Sequence, residues 1–316
     1  MNESLVEKNK CFVSTVVYVC NRSVSEIENF CDKVIRKLSE TFENNEVIFV
    51  CDGHQTVDEK VINEILTKLK LNVMAETVQM AYYQGIEAAM CAGDDLSIGD
   101  FIFEFDSIDV DYDSQLVIDV FNRAREGYDI VSAGDNTMSF SSRIFYMLIN
   151  HRNSYEVRHE SFRVVSRRAL NRIKILNNSI PYRKVLYAAS GLPTDYINYK
   201  PQLKGKIKKH NRKESAYRLN SGINYMMIFT KVIENITLVL GVVFLLVTIG
   251  TGLWALYSYF VQDAVAGWVS LMGVISFGFF GVFLLISVII KYMSLILDMN
   301  YKKTAYVVES INKNIK

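Results

Sequence analysis

Proline is scarce in this chain, with three residues in 316, while half of all residues are hydrophobic. That balance excludes a disordered or collagen-like protein. Cysteine is sparse and poorly spaced for metal. Cys11, Cys20, Cys31, Cys51 and Cys91 all lie in the first third, with no C-x-x-C pair and no histidine pair nearby. The spacing argues against a zinc site or a disulfide framework and for reduced core thiols. The N-terminal stretch MNESLVEKNK lacks an apolar segment of signal-peptide type before the strand-like FVSTVVYV, so the first domain is expected to stay in the cytosol. Net charge is nearly absent at +1, and only its distribution is informative.

Two later runs, Ile236–Tyr257 and Trp268–Ile290, contain no charged residue. As helices each would extend roughly 33–35 Å at ~1.5 Å per residue, against a hydrocarbon core about 30 Å thick. They predict two transmembrane helices, 236–257 and 268–290, within a membrane region 235–291. The connecting loop carries only Asp263. Lys200, Lys204, Lys206, Lys208, Lys209, Arg212, Lys213 and Arg218 precede the first run, and Lys291, Lys302 and Lys303 follow the second. Cations on both outer flanks place both termini in the cytoplasm, giving a multi-pass cell-membrane protein. Gly241, Gly250, Gly252, Gly273, Gly278 and Gly281 either let the two helices approach closely or reflect ordinary membrane-helix composition. The basic, amphipathic segment 201–234 reads equally as topology signal and as a surface for lipid phosphate. Residues 292–316 are expected to form a cytosolic tail.

Before residue 200 the pattern alternates. Strand-like segments at 12–19, 46–51, 71–74, 101–106 and 129–132 are separated by helical periodicity over 24–42, 57–69, 85–96 and 114–125. This predicts an α/β domain over 1–200 with a mostly parallel sheet flanked by helices, and ligand-binding loops at one sheet edge. Two such loops carry carboxylates: Asp52-Gly53, and the run Glu104, Asp106, Asp109, Asp111, Asp113. Crowded acids repel unless a cation sits among them. A hard divalent metal on a diphosphate is one solution, and a solvated loop with Asp113 capping the next helix is the other.

The order of motifs resembles that of the family-2 glycosyltransferases with a Rossmann-like GT-A fold, in the polyprenyl-phosphate glycosyltransferase subgroup, similar to dolichyl-phosphate mannosyltransferase and bacterial lipid-linked glucosyltransferases. Val16-Val17-Tyr18-Val19-Cys20-Asn21-Arg22 is similar to the family's V-V-x-P-V-Y-N-E, and Val50-Cys51-Asp52-Gly53 to V-D-D-G. Gly85 through Gly93 resembles G-x-x-A-A-x-x-A-G, Glu126-Gly127-Tyr128-Asp129 resembles E-G-Y-D, and Ser142-Arg143-Ile144-Phe145-Tyr146 resembles S-R-x-x-Y. Ser161 through Arg168 looks like D-F-R-L-x-S-R-R, Glu214-Ser215-Ala216-Tyr217 like G-E-S-K-Y, and Tyr301 through Ser310 like K-x-R-P-x-Y-V-V-E-S. The chain departs from the pattern at Tyr18, Arg22, Cys51, Tyr83, Ser161, Ala216 and His210, and the family's D-x-D becomes Asp106-Ser107-Ile108.

The resemblance implies inverting transfer of a sugar from a nucleotide-diphosphate sugar to a polyprenyl phosphate at a bilayer, serving cell-envelope polysaccharide, with no nucleic acid partner. It implies donor contacts from Asn21, Asp52, Gly53, Gly85 and Asp106, and Mg²⁺ or Mn²⁺ held by Asp106 and Asp109. The acceptor phosphate would meet Arg143, Arg163, Arg167, His210, Arg212, Lys213 and Ser215, with Asp106, Arg143 and Arg163 central to catalysis. Relatives suggest a homo-oligomer. The altered motifs also suit a family member that kept the fold, lost the chemistry and serves as a membrane-tethered binding or assembly partner.

Overall fold

The computed structural model describes residues 8–53, 59–135, 143, 146–147, 150, 156–176, 183–202, 232–261, 268–301 and 306–314. The chain divides into two units: 1–146 with 154–211 and 303–316, and 147–153 with 212–302.

Among the described residues the first unit is built on a sheet of eight strands: β1 (Asn9–Tyr18), β2 (Phe42–Cys51), β3 (Met74–Met80), β4 (Phe101–Phe105), β5 (Ile130–Gly134), β6 (Phe162–Ser166), β7 (Thr194–Asn198) and β8 (Val308–Asn314). Their order is β7-β5-β6-β4-β1-β2-β3-β8. The centre is parallel, since β1 pairs with β2 and β4, and β2 with β3; β5 and β7 are also parallel. β6 runs antiparallel to β4 and β5, and β8 antiparallel to β3. The mixed α/β sheet flanked by helices is the architecture expected from the alternating pattern.

Strand alternation sorts the side chains between two faces. In β4, Phe103 and Phe105 enter one core with Phe30, Phe42, Phe121 and Phe162. That face is covered by α1 (Val24–Phe30), a π turn at Cys31–Ile35, α2 (Arg36–Thr41), α3 (Glu59–Lys68) and α5 (Gln115–Arg125). Ile102 belongs to the other core, with Val16, Ile48, Val165, Met90, Leu170 and Leu186. There the cover is α4 (Ile86–Leu96), α6 (Arg167–Leu176) and α7 (Arg183–Ala189).

The third strand is displaced from its expected position at 71–74 to Met74–Met80. The reason is the end of α3. Leu71 N–H bonds to Leu66 O at 3.0 Å and Lys70 N–H to Thr67 O at 3.1 Å, with Lys70 at φ 52°, the wrapped C-terminal motif of a helix. Leu71 thus closes the helix instead of opening the strand. The polar Glu76 and Thr77, which hide the strand in the sequence, are buried because β8 pairs beside them.

The second unit contains α8 (Val232–Val261) and α9 (Trp268–Tyr301), of 30 and 34 residues. Within it the rings of Phe244 and Phe277 lie 5.1 Å apart, and a Cβ at Gly281 would sit 2.7 Å from the Phe244 ring. Among the described glycines of these helices, Gly281 permits close approach, whereas a Cβ at Gly241, Gly250 or Gly278 would meet open space. Many side chains of both helices fall outside the described set, and over the described residues alone no helix is long and apolar enough to cross a membrane.

Candidate functional site

The strand order places the loops after β1, β2 and β4 at one edge of the sheet, where β1 has neighbours reached by chains running in opposite directions. Such a switch point is the ligand crevice of open α/β sheets. Asn21 and Arg22, Asp52 and Gly53, and Asp106 to Asp109 all follow these strands.

Asp52 is fully buried. Its carboxylate accepts from Gln84 N–H and Gly85 N–H, both at 2.8 Å, and from the Tyr18 hydroxyl at 3.2 Å. The side chain therefore staples the β2 loop to the start of α4, where main-chain donors lack helical partners. Burial raises its pKa against these hydrogen bonds. Gly53 has φ 78°, and a Cβ there would lie 3.1 Å from Tyr83 N, so the β2 turn requires glycine. Asn21 also lies at positive φ, 55°, a conformation that asparagine tolerates.

The acidic run after β4 is paired residue by residue. Glu104 and Asp106 extend the face opposite Phe103 and Phe105, beneath α4 and α7. Arg163 donates Nη1 to Glu104 at 2.6 Å and Nη2 to Asp106 Oδ2 at 2.8 Å. Arg183 donates Nη2 to Asp106 Oδ1 at 2.6 Å and Nη1 to Glu104, while its Nε lies 3.2 Å from Glu87. The Tyr187 hydroxyl completes Glu104. Lys184 stands 3.8 Å from Asp106 and 3.7 Å from Glu160, and Glu160 is 2.8 Å from Arg163. Glu104, Arg163 and Arg183 expose at most 2% of their side chains.

Burial disfavours ionised Asp106, but the Arg163 and Arg183 guanidinium groups and the Lys184 ammonium outweigh it and hold the carboxyl well below the usual range. Asp94, on α4, moves the other way: burial, reinforced by Glu104, lifts it well above that range despite Arg183 at 3.5 Å. Burial raises Glu87 as well, against the pull of Arg183.

The outer acids have their own partners. Arg22 spans both oxygens of Asp109 at 3.3 and 3.2 Å and also donates to Ser107 Oγ at 3.0 Å. Ser107 in turn donates to Asp109 at 2.7 Å. Asp111 accepts from the Tyr199 hydroxyl at 2.7 Å, and Asp113 from Gln115 N–H at 3.0 Å at the start of α5. Repulsion in the run is thus relieved by arginines and hydroxyls. A divalent ion on Asp106 and Asp109 does not fit this donor set. Both carboxylates already face guanidinium groups, and among the described residues no group of three or more His, Cys, Asp or Glu could hold a metal ion.

Of the remaining expected residues, Arg143 is exposed. Arg163 is enclosed in the charge cluster. Arg167 donates to Gly99 O at 2.9 and 2.6 Å and to Ser97 Oγ at 3.2 Å, tying the β4 entry loop to α6. Gly85 precedes α4 at φ 90°. His210, Arg212, Lys213 and Ser215 lie outside the described residues. Sequence reasoning missed Arg183, Lys184, Glu87, Asp94, Glu160 and Tyr187. One signal pointed to them: a glutamate in the middle of the apolar strand FIFEF requires a buried cationic partner. A cavity of about 410 Å³ adjoins the cluster, with Arg158, Glu160, Lys184, Tyr187, Asp195 and Tyr196 in its wall.

No family model matches the chain, and no curated protein matches it by sequence. The solved structure of the mannosyltransferase PcManGT from Pyrobaculum calidifontis, in complex with GDP-Man and Mn²⁺, is 12% identical, covers 72% of this chain and 65% of its own, and superposes with a TM-score of 0.50. This chain therefore spans less than two thirds of that protein's length. Mannosyl-3-phosphoglycerate synthase from Rubrobacter xylanophilus, 13% identical over 69% of this chain and 74% of its own, gives a TM-score of 0.45. Glucosyl-3-phosphoglycerate synthase from Mycobacterium tuberculosis, in complex with Mn²⁺, UDP-Glc and phosphoglyceric acid, is 13% identical over 67% of this chain and 80% of its own, at a TM-score of 0.42. The likeness to PcManGT is one of fold: the α/β unit has the GT-A architecture.

Proposed function

We propose that this chain is a membrane-bound glycosyltransferase that moves a hexose from a nucleotide-diphosphate sugar to a polyprenyl phosphate. The observation that carries the reading is the β1/β4 switch point of a GT-A sheet, where the loops bearing Asn21–Arg22, Asp52–Gly53 and Asp106–Asp109 converge. Nucleotide-sized ligands bind at such edges in open α/β sheets.

The chemistry asks little of a general base. A phosphate acceptor is already anionic at neutral pH, so the protein must position it in line with the anomeric carbon and offset the repulsion between two anions. Arg163 and Arg167 are engaged internally, which leaves the exposed Arg143 among the described residues expected to meet the acceptor; His210, Arg212, Lys213 and Ser215, which the resemblance also implies, lie outside them. Several described apolar side chains of α8 and α9 are exposed: Val239, Leu246, Trp254, Phe279, Phe283 and Ile290 each expose more than half of their surface. Apolar surface of that extent suits a lipid environment. Tethering the transferase to the bilayer raises the local concentration of a lipid acceptor. The soluble unit and both termini would then face the cytoplasm.

A second reading is a non-catalytic, tethered binding partner. It is favoured by the ion pairs that already occupy Asp106 and Asp109. Incubating the full chain, reconstituted in vesicles with undecaprenyl or dolichyl phosphate, with radiolabelled UDP- and GDP-hexoses separates the two. Transferase activity gives a labelled, organic-extractable lipid, reduced at least about tenfold in Arg143→Ala. Absence of labelled lipid and of nucleotide-sugar binding with every donor leaves the tethered partner.

A further inference from the structure

The loop that a GT-A metal would use is cross-linked by arginine. Arg22 lies just past β1 and Asp109 just past β4, on neighbouring parallel strands at the ligand edge of the sheet. The guanidinium reaches across that gap, meets both oxygens of Asp109 and the hydroxyl of Ser107, and keeps 17% of its side-chain surface exposed. Inward of it, Asp106 has one guanidinium on each oxygen and an ammonium 3.8 Å away. A divalent ion placed on either carboxylate would meet a cation already in its coordination position. To enter the inner position it would have to expel Arg163 and Arg183, which are buried and bonded to Glu104 as well. An arginine at this edge of the sheet has the complementary property. Its planar fork of five donors matches phosphate oxygens, and it carries permanent positive charge without coordination chemistry.

We propose that this chain binds its nucleoside diphosphate ligand without a divalent cation, the guanidinium of Arg22 supplying the positive charge that faces the diphosphate. The inference rests on the nucleotide-sugar reading above and deepens it. Arg22 exchanges part of its contact with the half-exposed Asp109 for the incoming phosphate oxygens, and Ser107 retains Asp109. Asp106 and its arginines form the rigid floor beneath the exchange. No residue changes its protonation state, and no bond is made or broken in this binding step.

The test uses the full chain in phosphatidylcholine nanodiscs, stripped with EDTA, and UDP and GDP as probes in calorimetric titrations with EDTA or with excess Mn²⁺. In parallel, uptake of Mn²⁺ alone is followed by the loss of its free-ion EPR signal. The expected result is a nucleotide Kd that differs by less than about threefold between the two conditions. No saturable Mn²⁺ uptake should accompany it. Arg22→Ala should weaken nucleotide binding by at least about tenfold, with Arg22→Lys recovering part of the loss. An unchanged thermal unfolding curve for Arg22→Ala excludes misfolding as the cause. Nucleotide binding that appears only with Mn²⁺, or saturable Mn²⁺ uptake abolished by Asp109→Asn, overturns this inference and leaves the donor reading standing. Absence of nucleotide binding in both conditions overturns both.

Discussion

At the scale of single residues, the chain's most consequential feature is a cluster of buried opposite charges on one sheet face. Burying ions is costly, and the cost is offset only where each charge has close partners. Arg183 is bonded at once to Glu104 and Asp106, with Glu87 at 3.2 Å. Replacing it with leucine leaves these carboxylates short of a cation in a largely buried space. Arg183→Leu is expected to destabilise the α/β unit by about 3–5 kcal/mol. The effect should be read as a lower urea midpoint by near-UV circular dichroism of the full chain in detergent. Arg36→Leu removes an ion-pair partner of Asp32, but both side chains are exposed and the midpoint should barely move. Equal shifts for the two variants would mean that the buried cluster contributes no more than a surface pair. The sequence showed the acids and not their neutralisation. Glu104 to Asp113 are contiguous and visible, whereas Arg183 is 77 positions from Asp106 and belongs to no motif.

At the scale of elements, β1, β2 and β4 were legible because each carries an apolar run between periodic helices. The edge was not. β8 follows the apolar helices by only a few residues and contains Glu309, Asn312 and Lys313, a polar composition that reads as a tail. It becomes a strand because β3 offers an unpaired edge and because Gln84 clasps it from the loop before α4, donating Nε2 to Val307 O at 2.7 Å and accepting from Val307 N–H at 2.9 Å. Lys313 adds an ion pair to Glu76 at 2.6 Å. The Tyr306 hydroxyl donates to Asp95 at 2.6 Å. Gln84→Ala removes both bonds of the clasp. Amides of residues 75–80 should then exchange with deuterium about tenfold faster, equivalent to ~1.4 kcal/mol of local opening. Amides in β1 and β4 should keep their protection, and unchanged exchange in β3 would mean that β8 holds without the clasp.

At the scale of the whole molecule, two units are threaded by one chain. The α/β unit is completed by residues beyond α9, so α8 and α9 lie in the chain between the main body of the sheet and its last strand. If α8 and α9 lie in a bilayer, the chain should stay with membranes through an alkaline carbonate wash and be released by detergent. Replacing Leu246 and Phe283, both exposed along these helices, with lysine should release part of it, because a charge at mid-membrane costs about 2.5–3.5 kcal/mol on the insertion scale. Retention unchanged by both lysines would mean that these positions are not in lipid.

By itself the sequence determined what depends on local periodicity: an α/β order of elements, two late helices, and an acidic loop following an apolar strand. Hydrophobic spacing and charge depletion are written along the chain, so neighbouring residues suffice to read them. Only the tertiary structure decided what neutralises the acids. Asp106 meets Arg163 and Arg183, and Asp109 meets Arg22, because sheet order and helix cover bring together positions far apart in the chain. A carboxylate's chemistry is set by the charges within a few ångströms of it, and those distances exist only once the chain has folded.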